Sequence, residues 1–397
     1  MTESRTGEIV DLAAEGDGFF RNPYPYFAAL RERGPVHYAH LPGDFHAWLV
    51  VGHREARAAL TDPRLVKILA TGPVEAERER AGPHLLNSDP PDHTRLRRLV
   101  SREITPGRIA ALAPCVKEIT DTLLDTMLAA PDRRADLVAA FSFPLPITVI
   151  CELLGVPHLD HERFRHWSRA LTAGPPEEMP KMRATMTQYL AGLLATQREQ
   201  PGDDLLSALL RTADRDGDQL SADELLDMCW LLLIAGHETT VGLISNGVLA
   251  LLRHPEQLAA LRADWSLLDN TVEEILRYDG PVLTATARYA AEDIEIAGTV
   301  IPHHALVLAV IADADRDPAR FPDPTRFDIH RAPRGHIAFG HGIHHCLGAP
   351  LARLEARTAL RALLDRAPEL ALDADPDAVP WHPGLVARGP LHLPIRW

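Results

Sequence analysis

Lysine and cysteine are scarce in this chain of 397 residues. Three lysines (Lys67, Lys117, Lys181) stand among 41 basic side chains, and there are four cysteines. Four cysteines without a pairing pattern give no disulfide framework and suit a reducing, cytoplasmic setting. The net charge of −14 leaves no cationic surplus, which argues against a nucleic-acid partner. No Gly/Ser linker, charge block or internal repeat divides the chain, so one large, mostly helical domain over residues 1–397 is the simplest organisation. The opening run from Met1 to Glu8 has neither an apolar stretch nor a basic prelude, so neither a signal peptide nor a membrane anchor is expected.

One apolar run is long enough to cross a bilayer, at residues 225–252. His237 and Glu238 near its middle, and the absence of a one-sided basic flank, oppose a membrane assignment. Ser221 and Glu224 form a capping-box pattern and Pro255 marks an end, which predicts a buried helix. At 1.5 Å per residue it would run about 48 Å. Inside it, Ala235-Gly236-His237-Glu238-Thr239-Thr240 puts a glycine, an acid and two hydroxyls where propensity and burial disfavour them. Such a breach of pattern is where function is expected. Thr239 can hydrogen-bond back to the carbonyl of Ala235 and bend the helix open.

The richest stretch runs Phe339-Gly340-His341-Gly342-Ile343-His344-His345-Cys346-Leu347-Gly348. Two glycines permit a tight bend and close approach to a flat partner. The helix-forming run that follows places Cys346 near unpaired N–H groups and the positive end of a helix dipole, which favours a thiolate. Cys115, Cys151 and Cys229 sit in apolar helical runs and read as core residues. A zinc site built from His341, His344, His345 and Cys346 is a rival, opposed by Gly340 and Gly342.

The spacing from Phe339 through Gly342 and Cys346 to Gly348 resembles the haem-binding loop of the cytochrome P450 family, and residues 235–239 resemble that family's oxygen-activation motif. The resemblance spans nearly the whole chain and is nearest to bacterial soluble members that tailor polyketides and other secondary metabolites. It implies a mainly α fold with a small β-rich portion at the N-terminal side, a triangular prism with one long helix over the haem. Cys346 would be the thiolate ligand of haem b, with Thr239 and Glu238 delivering protons. The run Asp89-Pro90-Pro91-Asp92-His93 leads into Arg97, and His93 with Arg97 matches the family's propionate clamp, joined by Arg288 and His344. Glu274 and Arg277 match a buried Glu-x-x-Arg pair, whose third partner would be Arg326 in Pro324-Thr325-Arg326-Phe327; on spacing alone Glu273 is an equal candidate to pair with Arg277.

The implied reaction is monooxygenation, a hydroxylation or epoxidation of a lipophilic small molecule by dioxygen. No fused flavin or iron–sulfur module is visible, so separate ferredoxin and ferredoxin reductase partners are implied. The arginine stripe Arg353, Arg357 and Arg361, with Arg98 and Arg102, offers local positive charge to an acidic donor. A haem peroxygenase and a haem sensor are the other readings. Pocket candidates are the loop at 66–87, Leu232, Ala235, Leu283, Thr284, Ala285, Leu385 and Val386, with Arg78 and Arg80 as less favoured contacts. Three departures from the family stand out: His345 precedes the cysteine, Asp315 replaces a usual Asn, and His304 replaces a common glycine.

Overall fold

The computed structural model describes residues 9–68, 84–157, 163–164, 166–167, 179–213, 219–332 and 334–397. Arg78, Arg80 and most of the 66–87 loop therefore lie outside the described residues. Helices dominate. Those that build the site are α1 (Tyr24–Arg33), α2 (His53–Ala59), α3 (Asp92–Glu103), α4 (Ala113–Leu128), α5 (Pro144–Leu154), α6 (Met179–Glu199), α7 (Ala222–Arg253), α8 (Leu268–Asp279) and α9 (Ala349–Arg366). In α3 the buried residues His93, Leu96, Leu99 and Val100 fall on one face, so the opposite face is left to arginine.

The apolar run at 225–252 is a core helix. The Ser221 hydroxyl accepts from the Glu224 N–H at 3.1 Å and the Glu224 carboxylate accepts from the Ser221 N–H at 2.8 Å, so the capping box closes as its pattern predicts. Seventeen residues of α7 are buried, and the helix packs against α5, α6, α8 and α9. Its length and apolar character alone would suit a membrane, but those side chains are sequestered by its neighbours. Gly242 is needed where the chain at 388–389 crosses α7. A Cβ on Gly242 would come within 2.6 Å of the Arg388 carbonyl, and a Cβ on Gly389 would lie 3.1 Å from the Gly242 Cα.

The main sheet has six strands in the order β1 (Val10–Asp11), β2 (Val36–Leu41), β3 (Phe45–Val50), β9 (Leu306–Ala309), β6 (Arg288–Ala290) and β4 (Leu65–Val66). A second sheet joins β10 (Ala371–Leu372), β11 (Pro394–Arg396) and β5 (Arg134–Asp136), and β7 (Ile294–Ile296) pairs with β8 (Thr299–Ile301). The β portion is thus less N-terminal than expected. Residues 288–309 are inserted between N-terminal strands, with β9 parallel to β3 and antiparallel to β6.

His304 explains why glycine is common at its position. It closes the turn between β8 and β9 at φ +68°, in the left-handed region, where a side chain costs roughly 1 kcal/mol. Its N–H still donates to the Ala290 carbonyl at 2.8 Å, so the hydrogen bond is kept in spite of the strain.

Candidate functional site

Residues 337–348 fold back on themselves. The Gly340 N–H donates to Ile337 O, the His345 N–H to Gly342 O and the Cys346 N–H to Phe339 O, at 2.7, 3.1 and 2.9 Å. Gly340 and Gly342 adopt φ of +72° and +77°, and a Cβ on Gly342 would strike Thr61 at 2.8 Å. Both glycines are therefore required by conformation, and the second also by close packing on the chain after α2. The loop delivers Cys346 three residues ahead of α9. Its histidines diverge: His341 accepts from Arg57 at 3.0 Å, His344 packs on His93 with ring centroids 4.3 Å apart, and His345 faces Phe339 at 6.5 Å. The zinc reading fails on this geometry, and no cluster of metal-ligating side chains occurs among the described residues.

The thiol differs from expectation in one respect. The N–H groups of Gly348 and Ala349, with Arg97 and Arg353, do pull its pKa down; although Cys346 opens on the cavity, desolvation by the atoms packed around it outweighs them and the net direction is upward. A cation bound at the sulfur would make the thiolate the stable form.

Facing Cys346 is a cavity of about 280 Å³, walled on the opposite side by α7 through Met228, Leu232, Ala235, Gly236, Thr239 and Thr240. Thr239 donates its hydroxyl hydrogen to Ala235 O at 3.0 Å, the expected back-bond, yet α7 runs on through it without a break. That hydroxyl can still accept hydrogen bonds from the cavity side. His237 is fully buried and its Nδ1 donates to Leu233 O at 2.9 Å, which turns Nε2 towards the Glu238 carboxylate at 3.3 Å. The Glu238 oxygen that faces it, Oε2, is buried without a hydrogen-bond partner, so this is a close contact and not a formed hydrogen bond.

At the cavity edge the residues expected to hold the propionates come together. His93 and Arg97 share a face of α3, Arg288 starts β6, and His344 comes from the loop; Arg97, Arg288 and His344 line the cavity. Both ring nitrogens of His93 and Nδ1 of His344 are buried without a hydrogen-bond partner. Burial, then the neighbouring cations, hold the His344 pKa down at about 3, and burial lowers that of Arg288 to about 10. Orphaned donors among cations call for an anion with several oxygens. Haem propionates fit that demand, and Cys346 opens on the same cavity.

Of the expected pocket residues, Leu232, Ala235 and Ala285 line the cavity, as do Leu85 and Leu86 at the end of the 66–87 loop. Leu283, Thr284, Leu385 and Val386 do not. The 283–284 stretch pairs with 385–386 through Leu283 N–H to Val386 O and Thr284 N–H to Leu385 O, at 2.8 and 3.0 Å. Leu283 is buried with Leu12, Phe19 and Val310 in a separate core, the Thr284 hydroxyl donates to Leu385 O, and Val386 is exposed. Val282 and Thr286 take the cavity wall beside Ala285.

Behind the loop, Glu274 and Arg277 form the expected pair, both fully buried, with two contacts of 2.8 Å. The third partner is Arg331, whose Nε lies 3.3 Å from Glu274. Arg326 is corrected: its side chain is exposed and only its carbonyl accepts from Arg277, at 3.1 Å. Glu273 does not pair with Arg277. It accepts from Arg353 at 2.5 and 2.9 Å and from His336 at 2.9 Å; burial pushes its pKa up, but those partners hold it down at about 2.

Three residues escaped the sequence reading. Arg331 had no spacing signal distinct from its arginine neighbours. Glu355 is buried at the cavity without a partner for Oε2, and burial raises its pKa far above the usual range. Its position four residues after Leu351, on the apolar side of α9, could have marked it. Lys67 sits beside the clamp, and the rarity of lysine was its only signal.

The comparisons with known proteins agree with this geometry. A cytochrome P450 family profile matches residues 176–367. Over 392 residues the chain is 54% identical to the cytochrome P450 monooxygenase PikC of Streptomyces venezuelae, covering 98% of this chain and 94% of that protein. It is 46% identical to 6-deoxyerythronolide B hydroxylase of Saccharopolyspora erythraea, over 96% of this chain and 98% of that one. The solved structure of the tirandamycin C-bound P450 monooxygenase TamI superposes with a TM-score of 0.89 at 43% identity, covering 98% and 99% of the two chains.

Two expectations follow. Arg331→Ala should destabilise the protein by roughly 2–4 kcal/mol, because it strips a partner from a buried carboxylate, whereas Arg326→Ala should cost less than about 0.5 kcal/mol. Urea unfolding distinguishes them, and equal losses would contradict the placement of Arg331. The second concerns Asp315, whose pKa is raised to about 7 by burial although the Ile337 N–H, His336 and Arg277 oppose the shift. A raised native pKa means that this group favours the native state below about pH 4 and that the advantage is lost as pH rises through 7. Asp315→Asn should therefore gain about 2 kcal/mol at pH 8 and progressively less towards pH 5. A gain independent of pH would contradict the ionisation argument.

Proposed function

The chain belongs to the cytochrome P450 family of monooxygenases, which hold haem through a cysteine, and on that premise we propose that it hydroxylates or epoxidises a lipophilic small molecule in secondary-metabolite tailoring, such as polyketide or macrolide biosynthesis. The observation that carries this reading is the cavity itself, with a thiol on one wall, an acid–alcohol pair on the helix facing it, and two arginines beside unpaired imidazole nitrogens at its edge. In this reading the enzyme works as one cytoplasmic domain that draws electrons from a separate ferredoxin and ferredoxin reductase.

Cys346 would ligate the iron, held by the N–H groups of Gly348 and Ala349. His93, Arg97, Arg288 and His344 would receive the propionates. When bound, haem b supplies the redox-active iron at which dioxygen is activated and its O–O bond is cleaved. Around it, Leu232, Ala235, Val282 and Ala285 exclude water and favour an apolar substrate. Thr239 lines the cavity while Glu238 stands behind it, so a proton would pass from the Glu238–His237 contact through water to the Thr239 hydroxyl. Its own O–H points to Ala235 O, which leaves the oxygen lone pairs to accept that water.

The reading is tested by the reduced, carbon-monoxide-bound spectrum. The wild type should give the strongly red-shifted Soret band of thiolate haem, and Cys346→Ser should abolish it, while serine at Cys115, Cys151 or Cys229 leaves it intact. A Cys346→Ser spectrum identical to wild type would sink the assignment. Thr239→Ala should leave the substrate-induced spectral shift nearly unchanged but lower product per reductant by roughly tenfold or more, the difference appearing as hydrogen peroxide. Full coupling with weakened substrate affinity would instead make Thr239 a pocket residue.

A further inference from the structure

Lys67 is one of three lysines in a chain that otherwise uses arginine, and it is 7% exposed. Its Nζ reaches Thr286 O at 3.1 Å, Thr286 Oγ1 at 2.5 Å and Ala287 O at 2.9 Å. An ammonium has three donors and no acceptor, so this tripod of oxygens satisfies it completely; a planar guanidinium would not fit the same tripod. None of the three oxygens carries a charge. The same Thr286 carbonyl also receives Arg288, at 3.4 Å. Two buried cations converging on one neutral oxygen is an unfavourable arrangement unless an anion lies close by.

Asp89 supplies part of that anion. It accepts the backbone N–H of Lys67 at 2.8 Å and that of Ile68 at 3.0 Å, and its carbonyl accepts the His93 N–H at 2.9 Å. One residue thereby ties the Lys67 segment to the helix that carries His93 and Arg97. Among the described residues, the charges acting on Lys67, Arg288 and His93 from carboxylates come from Asp89 alone. Arg97, by contrast, feels the charge of Cys346. Among the described residues Lys67 and Arg288 are thus two cations beside one carboxylate, and haem would bring two propionates to the same edge.

We propose that Lys67 is a positioning residue of the haem pocket: it fixes Thr286 and Arg288 at the cavity edge and adds its own positive charge to the edge that receives the propionates. The proposal rests on the haem reading above. It does not require Lys67 to touch the cofactor, because Thr286 lies between Lys67 and the cavity. Burial and then Arg288 depress the lysine's pKa well below its usual value, as expected while its counter-charge is confined to Asp89.

The test uses the haem-loaded protein with Lys67→Gln, which keeps donors but loses the charge, Lys67→Arg, which keeps the charge but not the tripod, and the exposed control Lys117→Gln. Two quantities are read: the ferric/ferrous midpoint potential without substrate, and the rate of haem transfer to apomyoglobin. A nearby cation favours the reduced iron, so Lys67→Gln should shift the equilibrium towards ferric by about tenfold, or about 59 mV for one electron. It should also release haem about tenfold faster. Lys67→Arg should keep the potential and release haem faster, and Lys117→Gln should match the wild type in both.

Faster release by Lys67→Gln at an unchanged potential would reduce Lys67 to a structural latch and overturn the proposal, as would no change in either quantity. Should Lys67→Gln yield no folded protein, Lys67→Arg decides: a potential displaced as far as tenfold overturns the electrostatic account. A wild type without the red-shifted carbon-monoxide band sinks the haem reading itself, whereas a normal wild-type band with unaltered Lys67 variants sinks only this inference.

Discussion

A buried guanidinium has five hydrogens that must all find acceptors, and in Arg277 they do. Nε and one Nη hydrogen go to the Glu274 carboxylate, and the other three go to the carbonyls of Asp315, Pro324 and Arg326. Those carbonyls belong to an irregular segment with little regular hydrogen bonding of its own, so the requirement of one side chain shapes the backbone around it. Glu274 also accepts the Asp328 N–H at 3.0 Å. Asp315 in turn accepts the Ile337 N–H at 2.7 Å, where the cysteine loop begins. The position of Cys346 is therefore set from α8, through the meander, by a chain of obligatory hydrogen bonds.

Glu273, adjacent to Glu274 on α8, acts in the same direction through different partners. It holds His336 before the loop and Arg353 after it, and Arg353 lies over the Phe339 ring at 4.5 Å. Consecutive residues on α8 thus grip the meander and the two flanks of the loop. The cavity side is nearly the inverse, with apolar walls and polar groups gathered at the edge. Rigidity is supplied from behind and chemical selectivity from in front.

Much of this was readable before any coordinates. The long helix, its cap, the glycine-dependent loop and the clamp pair on α3 depend on local spacing, which sequence records directly. The failures were of another kind. Arg331 and Arg326 are both arginines of one irregular segment, and which of them turns inward depends on where the backbone has already been pulled by Arg277. Leu283 and Thr284 were one or two positions out of phase, because an extended stretch sends neighbouring side chains in different directions and its phase is set by pairing with 385–386. The upward shift of the Cys346 thiol depends on burial, a property of the assembled fold. The departures at His304 and Asp315 were visible as oddities, but their costs, strained φ in one case and a buried carboxyl in the other, needed the structure.

The close crossing at Gly242 has a consequence for how the protein is made. Arg388 passes over the middle of the longest helix, its guanidinium reaching Asp279 at 2.7 Å and the carbonyl of Phe20 at 2.8 Å across 368 residues of sequence. A ribosome emits Phe20 first, α7 much later and Arg388 near the end of these 397 residues. The clamp on α3 and the loop bearing Cys346 are likewise separated by some two-thirds of the translated length. The two walls of the chamber are therefore joined only by segments made far apart in time, and the nascent chain must keep an unfilled apolar cavity from collapsing or aggregating until both are present.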